Sequence, residues 1–235
     1  MKPKAKRGGG NALLAKVPES VMERLKDNFQ AVDLPLGKIL YEARSPIEYS
    51  YFPHRGTLSA VAVMRDGAMI EVATIGKEGG VGLPILSRSG DSANRVFVQG
   101  LGDGVRIRTS ILVKEVQKTA ALREVFEAYQ KAFLFQVSRS VACNGLHQVL
   151  QRCCRWLLMT HDRIEGDEIS LTQGLLAVML GVRRSSVTEV LASLQDQGLV
   201  TTGRGKIIVR KRKELEAAAC ECYKDVRDEY QRLLG

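Results

Sequence analysis

An α+β fold is predicted by three features: short β-rich runs cut by turn residues up to about residue 109, one long helical period over 121–142, and two short helices followed by a hairpin over 171–209. In chain order these divide the sequence into a basic arm (1–16), an N-terminal antiparallel β-roll (17–110), connecting and long helices (111–145), a winged helix-turn-helix (146–213) and a C-terminal helix (214–235).

The arm opens with Lys2, Lys4, Lys6 and Arg7, followed by Gly8, Gly9 and Gly10. Such a stretch buries nothing and is predicted to be disordered. No run approaches the roughly 20 apolar residues of a membrane helix, and no apolar segment follows the basic start as a signal peptide requires. A cytoplasmic, membrane-free protein is expected. Thirty-five Lys and Arg against 26 Asp and Glu leave a formal +9, so a polyanionic partner is the first expectation.

Strands are predicted at 38–41, 58–64, 69–75 and 95–99. Asp66 and Gly67 join the middle pair as a hairpin, while Gly76, Gly79, Gly80, Gly82 and Pro84 form a loop too glycine-rich to continue a strand. From 121 to 142 the period becomes helical. Leu122, Val125, Phe126, Tyr129, Phe133, Gln136, Val137, Ser140 and Asn144 recur at three- and four-residue steps, a seam long enough to pair with its own copy, the alternative being a helix packed on its own barrel. Leu122, Val125, Phe126, Tyr129, Phe133 and Val137 are the candidate dimerisation residues, and Asn144 and Gly145 are expected to end the helix. A further helix is expected at 147–161.

In the next segment, Ala177, Gly181 and Val187 provide a small residue, a flexible turn and an apolar anchor, as two steeply crossing helices require. Val187, Val190, Leu191 and Leu194 form one apolar stripe on the second helix. The opposite face, with Arg184, Ser185, Thr188, Glu189 and Ala192, is small enough to enter a major groove about 12 Å wide. Strands at 199–202 and 207–210 flank a tip of Gly203, Arg204, Gly205 and Lys206, a wing suited to a phosphate backbone. Residues 183–213 contain eight basic and two acidic side chains and so carry +6 of the net charge. Double-stranded DNA is therefore the expected partner, with Thr172, Arg183, Arg184, Ser185, Ser186, Thr188, Glu189, Arg204 and Lys206 as candidate contacts.

Catalysis has no candidate site: no nucleophile elbow, P-loop or His-Glu-x-x-His is present, and an enzyme is not expected. Cys143, Cys153, Cys154, Cys220 and Cys222 are an odd set, and a disulfide framework is not expected. Cys220 and Cys222 are too close for a Cys-x-x-Cys pair, no histidine is expected nearby to complete a tetrahedral site, and His54, His147 and His161 are scattered. The cysteines are read as structural, with no metal and no cofactor. A redox-sensing or protein-interaction module, using the winged domain without specific DNA binding, is the alternative.

The β-roll, the long helix and then LTQGLLAVMLGVRRSSVTEVLASLQDQGLVTTGRGKIIV resemble the Crp/Fnr superfamily of bacterial transcription regulators. The resemblance implies a cyclic-nucleotide-binding-like roll acting as sensor, a homodimer joined along the long helix, and a two-fold operator. RNA polymerase is a further implied partner, and Arg184 falls where members place a DNA contact. Ser185 and Glu189 occupy positions often held by glutamate and arginine in the best-known members, so a different half-site is expected. Members that bind cyclic nucleotides carry a Gly-Glu-Leu turn and an arginine followed by Ser or Thr. Here Glu78 precedes Gly79, Gly80, Val81, Gly82, Leu83 and Pro84, and Arg95 precedes Val96. Cyclic AMP and cyclic GMP are therefore not expected ligands; Arg95 is the one candidate anion contact, and the effector stays open.

Overall fold

The structure, a computed structural model, describes residues 10–83 and 90–235. Most of the predicted arm (1–9), together with Pro84, Ile85 and Leu86, lies outside the described residues. The arm's last residues are ordered, contrary to expectation. Asn11 caps helix α1 (Ala12–Ala15) and donates through Nδ2 to the carbonyls of Pro53 and Gly79, each at 2.8 Å. Leu13 and Leu14 carry the burial that residues 1–9 lack in sequence.

After helix α2 (Glu19–Leu25) and a 3-10 turn, the roll is built from β1 (Gln30–Leu34), β2 (Ile39–Tyr41), β3 (Tyr49–Val63), β4 (Met69–Ile75) and β5 (Arg95–Arg108). All pairings are antiparallel in the order β1-β5-β3-β4, with β2 also on β5. The hairpin between β3 and β4 turns at Gly67, φ 86°, as predicted. Strands β3 and β5 each run well beyond the predicted 58–64 and 95–99. Pro53, Gly56, Gly100 and Gly102 interrupt the alternation that marks a strand, and register shifts between Pro53 and Leu58 absorb them.

Helix α3 (Thr109–Lys118) leads into α4 (Ala120–Leu146), which continues through Asn144 and Gly145 instead of stopping there. Asn144 accepts from Arg152 Nη2 at 2.8 Å, so its side chain is engaged by tertiary structure and does not compete with the helix backbone. Leu122, Phe126, Tyr129, Ala132, Gln136, Ser140 and Cys143 form the buried face of α4. Of the candidate dimerisation residues, Leu122, Phe126 and Tyr129 are buried in the protomer's own core. Val125, Phe133 and Val137 are half-buried at its border. The large apolar residues α4 exposes are Leu134 at 63%, Val141 at 68% and Leu146 at 81%.

Helix α5 (Val149–His161) is followed by β6 (Glu168–Ser170), α6 (Gln173–Leu180), α7 (Arg184–Asp196), β7 (Val200–Gly203) and β8 (Lys206–Val209). The predicted single C-terminal helix is two: α8 (Arg212–Ala218) and α9 (Cys222–Leu234). Extended backbone at Ala219 ends α8, and Cys220 turns inward to a site where it is only 4% exposed. Helix α9 lies along α4, with the rings of Tyr230 and Tyr129 edge-on at 6.3 Å and an Arg139–Asp225 ion pair at 3.2 Å.

A buried polar seam joins the roll to the C-terminal half. Glu71 of β4 accepts from Trp156 Nε1 of α5 at 2.7 Å, from Thr74 Oγ1 at 3.1 Å and from Ser59 Oγ. Burial pushes its carboxyl up against these hydrogen bonds. Gln136 donates to Thr74 O at 3.0 Å, and Arg163 pairs with Glu78 at 2.7 Å. The same packing overturns the expectation that no histidine stands near Cys220 and Cys222. The end of α4 and the start of α9 bring His147 and Cys143 against them, and His147 Nδ1 is 3.7 Å from Cys222 Sγ. Cys153 and Cys154 are buried in α5 as expected, and burial pushes the Cys154 thiol up to about 12.

Candidate nucleic-acid interface

Local signals fix the two reading helices. Thr172 caps α6, its Oγ1 accepting from Leu175 N at 3.1 Å. That bond makes Thr172 a structural cap as well as an exposed candidate contact. Gly181 ends α6 in the left-handed conformation (φ 62°), and its missing side chain lets the turn sit on Ile70 of β4. Val187, Leu191 and Leu194 bury the inner face of α7. Arg183, Arg184, Ser185, Thr188 and Glu189 are exposed and Ser186 is half-buried, all on the first two turns or the cap. Among the described residues no ion pair joins Glu189 to Arg184, so both are free to meet a partner.

The wing is a three-stranded sheet in the order β6-β8-β7, one strand more than predicted. Strand β6 was hidden because Glu168 to Ser170 offers a single buried residue, Ile169. The tip turns at Gly205, φ 73°, and presents Arg204, which makes no ion pair among the described residues. Lys206 differs: its Nζ stands 2.9 Å from Glu168 Oε2 on the neighbouring strand. A phosphate must compete with that carboxylate for Lys206 but not for Arg204.

Between the wing and the reading helices is a cleft of about 470 Å³, lined by Thr172, Gln173, Arg184, Thr202, Arg204 and Lys206 among others. Gln173 and Thr202 were missed by the sequence reading. Thr188 Oγ1 donates to Gln173 Oε1 at 2.9 Å, which fixes the amide at the mouth of the cleft. Thr202 is held through Oγ1 to Gln195 Oε1 at 2.8 Å. The signal for Gln173 was its place directly after a helix cap, a position that faces outward in a steep two-helix crossing.

In the roll, a cavity of about 780 Å³ lies between the sheet and α4, with Tyr41, Arg44, Asp91, Gln130 and Phe133 in its wall. Leu83 also lines it and is buried. Arg95 is not in the wall; it donates through Nε to Glu42 Oε2 at 2.8 Å on the outer side of the strand.

Residues 151–218 match the model of the Crp-like helix-turn-helix domain. Among solved structures, FixK2 from Bradyrhizobium japonicum is similar at 17% identity and TM-score 0.70, over 82% of this chain and 98% of that one. A putative regulator of the Crp/Fnr family from Eubacterium rectale is similar at 19% identity and TM-score 0.70, over 88% and 96%. The c-di-GMP responsive global regulator CLP of Xanthomonas campestris follows at 16% identity and TM-score 0.62, over 82% and 99%. No curated protein matches the sequence. At these identities the structural likeness shows the fold, and the domain match covers the two helices and the wing. The chain thus carries a Crp-like helix-turn-helix domain at residues 151–218, on the fold of the Crp/Fnr regulators.

Proposed function

We propose that the chain is a DNA-binding transcription regulator of the Crp/Fnr type, working in the cytoplasm as a homodimer on a two-fold operator and in contact with RNA polymerase. One observation carries it: the outer face of α7 leaves Arg183, Arg184, Ser185 and Glu189 exposed and without ion pairs among the described residues, beside a wing that presents Arg204. Arginine pairs bidentately with guanine, glutamate accepts from a cytosine amino group, and Gln173 suits adenine. Base contacts then come from α7 and the cleft, and phosphate contacts from the wing and Arg183. No helix among the described residues is long and apolar enough to cross a membrane.

Replacing Arg204 and Lys206 with alanine tests this reading. Affinity should fall for all sequences alike, and the salt dependence of binding should flatten by roughly one unit per lost phosphate contact. Arg204→Ala alone should account for most of the change, because Lys206 is already held by Glu168. Unaltered affinity at low salt in the double variant would remove the wing from the interface.

Neither cyclic AMP nor cyclic GMP is expected to act as the signal. A cyclic phosphate taken into the roll must have its charge paired, at a cost of several kcal/mol if it is not. Arg95 is turned to Glu42 outside the cavity, and Arg44 shares the wall with Asp91. Calorimetry with millimolar cyclic AMP should show no saturable heat; saturable binding that also raised DNA affinity would refute the expectation.

A further inference from the structure

We infer that Cys143, His147, Cys220 and Cys222 form a binding site for one tetrahedrally coordinated ion of the Zn(II) type, clasping the end of the long helix to the C-terminal helix. The four side chains come from the last turn of α4 (Cys143), its C-cap (His147), the link between α8 and α9 (Cys220) and the first residue of α9 (Cys222). Their donor atoms all lie within 4.8 Å of one another. Cys143 Sγ is 3.5 Å from Cys220 Sγ, and Cys222 Sγ is 3.7 Å from His147 Nδ1. With Zn–S near 2.3 Å and Zn–N near 2.0 Å, tetrahedral donors stand about 3.4–3.8 Å apart. The spacing already suits a single ion. A two-iron cluster needs its cysteines on opposite sides of bridging sulfides and does not fit so tight a set.

The surroundings supply what a metal site needs beyond its donors. His147 presents Nδ1 to the sulfurs, and its Nε2 lies 3.2 Å from the carboxylate of Glu221, the arrangement that fixes a ligating imidazole's tautomer and orientation. The cysteines are 0%, 4% and 1% exposed and form an apolar cluster of their own, whereas the His147 side chain is 16% exposed and offers an ion a way in. Three thiolates, a neutral imidazole and a divalent ion sum to one negative charge. Two buried guanidiniums stand beside it, Arg152 and Arg155, which make no ion pair among the described residues. Arg155 donates to Ser140 Oγ at 3.0 Å and also acts on Glu71. The Nε atoms of both arginines are buried without hydrogen-bond partners. A simple dithiol would use Cys143 and Cys220 and leave the convergence of Cys222 and His147 without a purpose.

The inference does not depend on DNA binding. It is tested on full-length, untagged, reduced protein stripped with a chelator and titrated with Co(II). One equivalent should bind per protomer with the intense visible bands of a tetrahedral thiolate complex, and one equivalent of Zn(II) should bleach them. Cys220→Ser with Cys222→Ser should abolish the signal. Glu221→Gln, at an exposed position that leaves the core untouched, should weaken Co(II) binding roughly 10–100-fold while keeping the same spectrum. Absence of tetrahedral bands in folded, reduced wild-type protein would overturn the site. An oxidant linking Cys143 to Cys220 in that same protein would then identify a dithiol switch. Full-affinity binding by the double serine variant would overturn it equally.

Discussion

A protein carrying Leu134→Glu and Val141→Glu is expected to sediment as a monomer and to lose specific DNA binding by about a thousandfold or more. The two positions are seven residues apart, two turns along one face of α4, and remain 63% and 68% exposed after the roll and α9 have covered the rest. Glu127, Lys131 and Ser138 share that face at heptad spacing, as in a helix pair joined along its length. Burying each Leu or Val is worth about 1.5–3 kcal/mol, and a glutamate at the same place must be desolvated instead. A monomer grips one half-site of a two-fold operator, and specific complexes commonly exceed non-specific ones by about 10³ to 10⁷ in affinity. Sedimentation at micromolar protein, paired with gel-shift titrations, reads both effects. A dimer that survives the double substitution would move the interface away from α4.

Tyr129→Ala should unfold the protein more readily, not dissociate it. The ring is fully buried, lies against Tyr230, and donates its hydroxyl to Gly80 O at 2.9 Å. A Cβ on Gly79 would collide with the same ring, so the glycine loop is shaped around it. Removing the ring leaves a cavity and an orphaned carbonyl. The cost should be about 3–5 kcal/mol, against about 0.5–1.5 kcal/mol for Tyr129→Phe, which forfeits only the hydrogen bond. Urea denaturation at a fixed protomer concentration measures both. Wild-type stability together with a monomeric state would return Tyr129 to the dimer seam.

What could be read from the sequence was mostly local. The boundaries of α6 and α7 follow from Thr172, Gly181 and the Val187–Leu194 stripe, and the hairpin at Asp66 and Gly67 from its turn chemistry. Strand β1 was missed because only Leu34 in it is buried. The period at Leu122, Phe126 and Tyr129 announces that one face of α4 is covered, but it is silent on whether a second copy or the protomer's own roll covers it. The Cys and His cluster was harder still. Its members at 143 and 220 are 77 residues apart and meet only because α9 folds back along α4. The available signal was a pair of short spacings, Cys143 four residues before His147 and Cys220 two before Cys222, each too weak alone.

The seat of Gly181 on Ile70 makes the turn of the winged domain part of its contact with the roll. A Cβ at 181 would stand 2.6 Å from Ile70 Cδ1, the far end of a side chain that can turn aside, so the left-handed backbone at φ 62° is what holds the position to glycine. Trimming Ile70 alone would therefore not open the turn to other residues. A winged domain borrowed from another regulator would fit against this β4 most readily if it brought a glycine at its own turn.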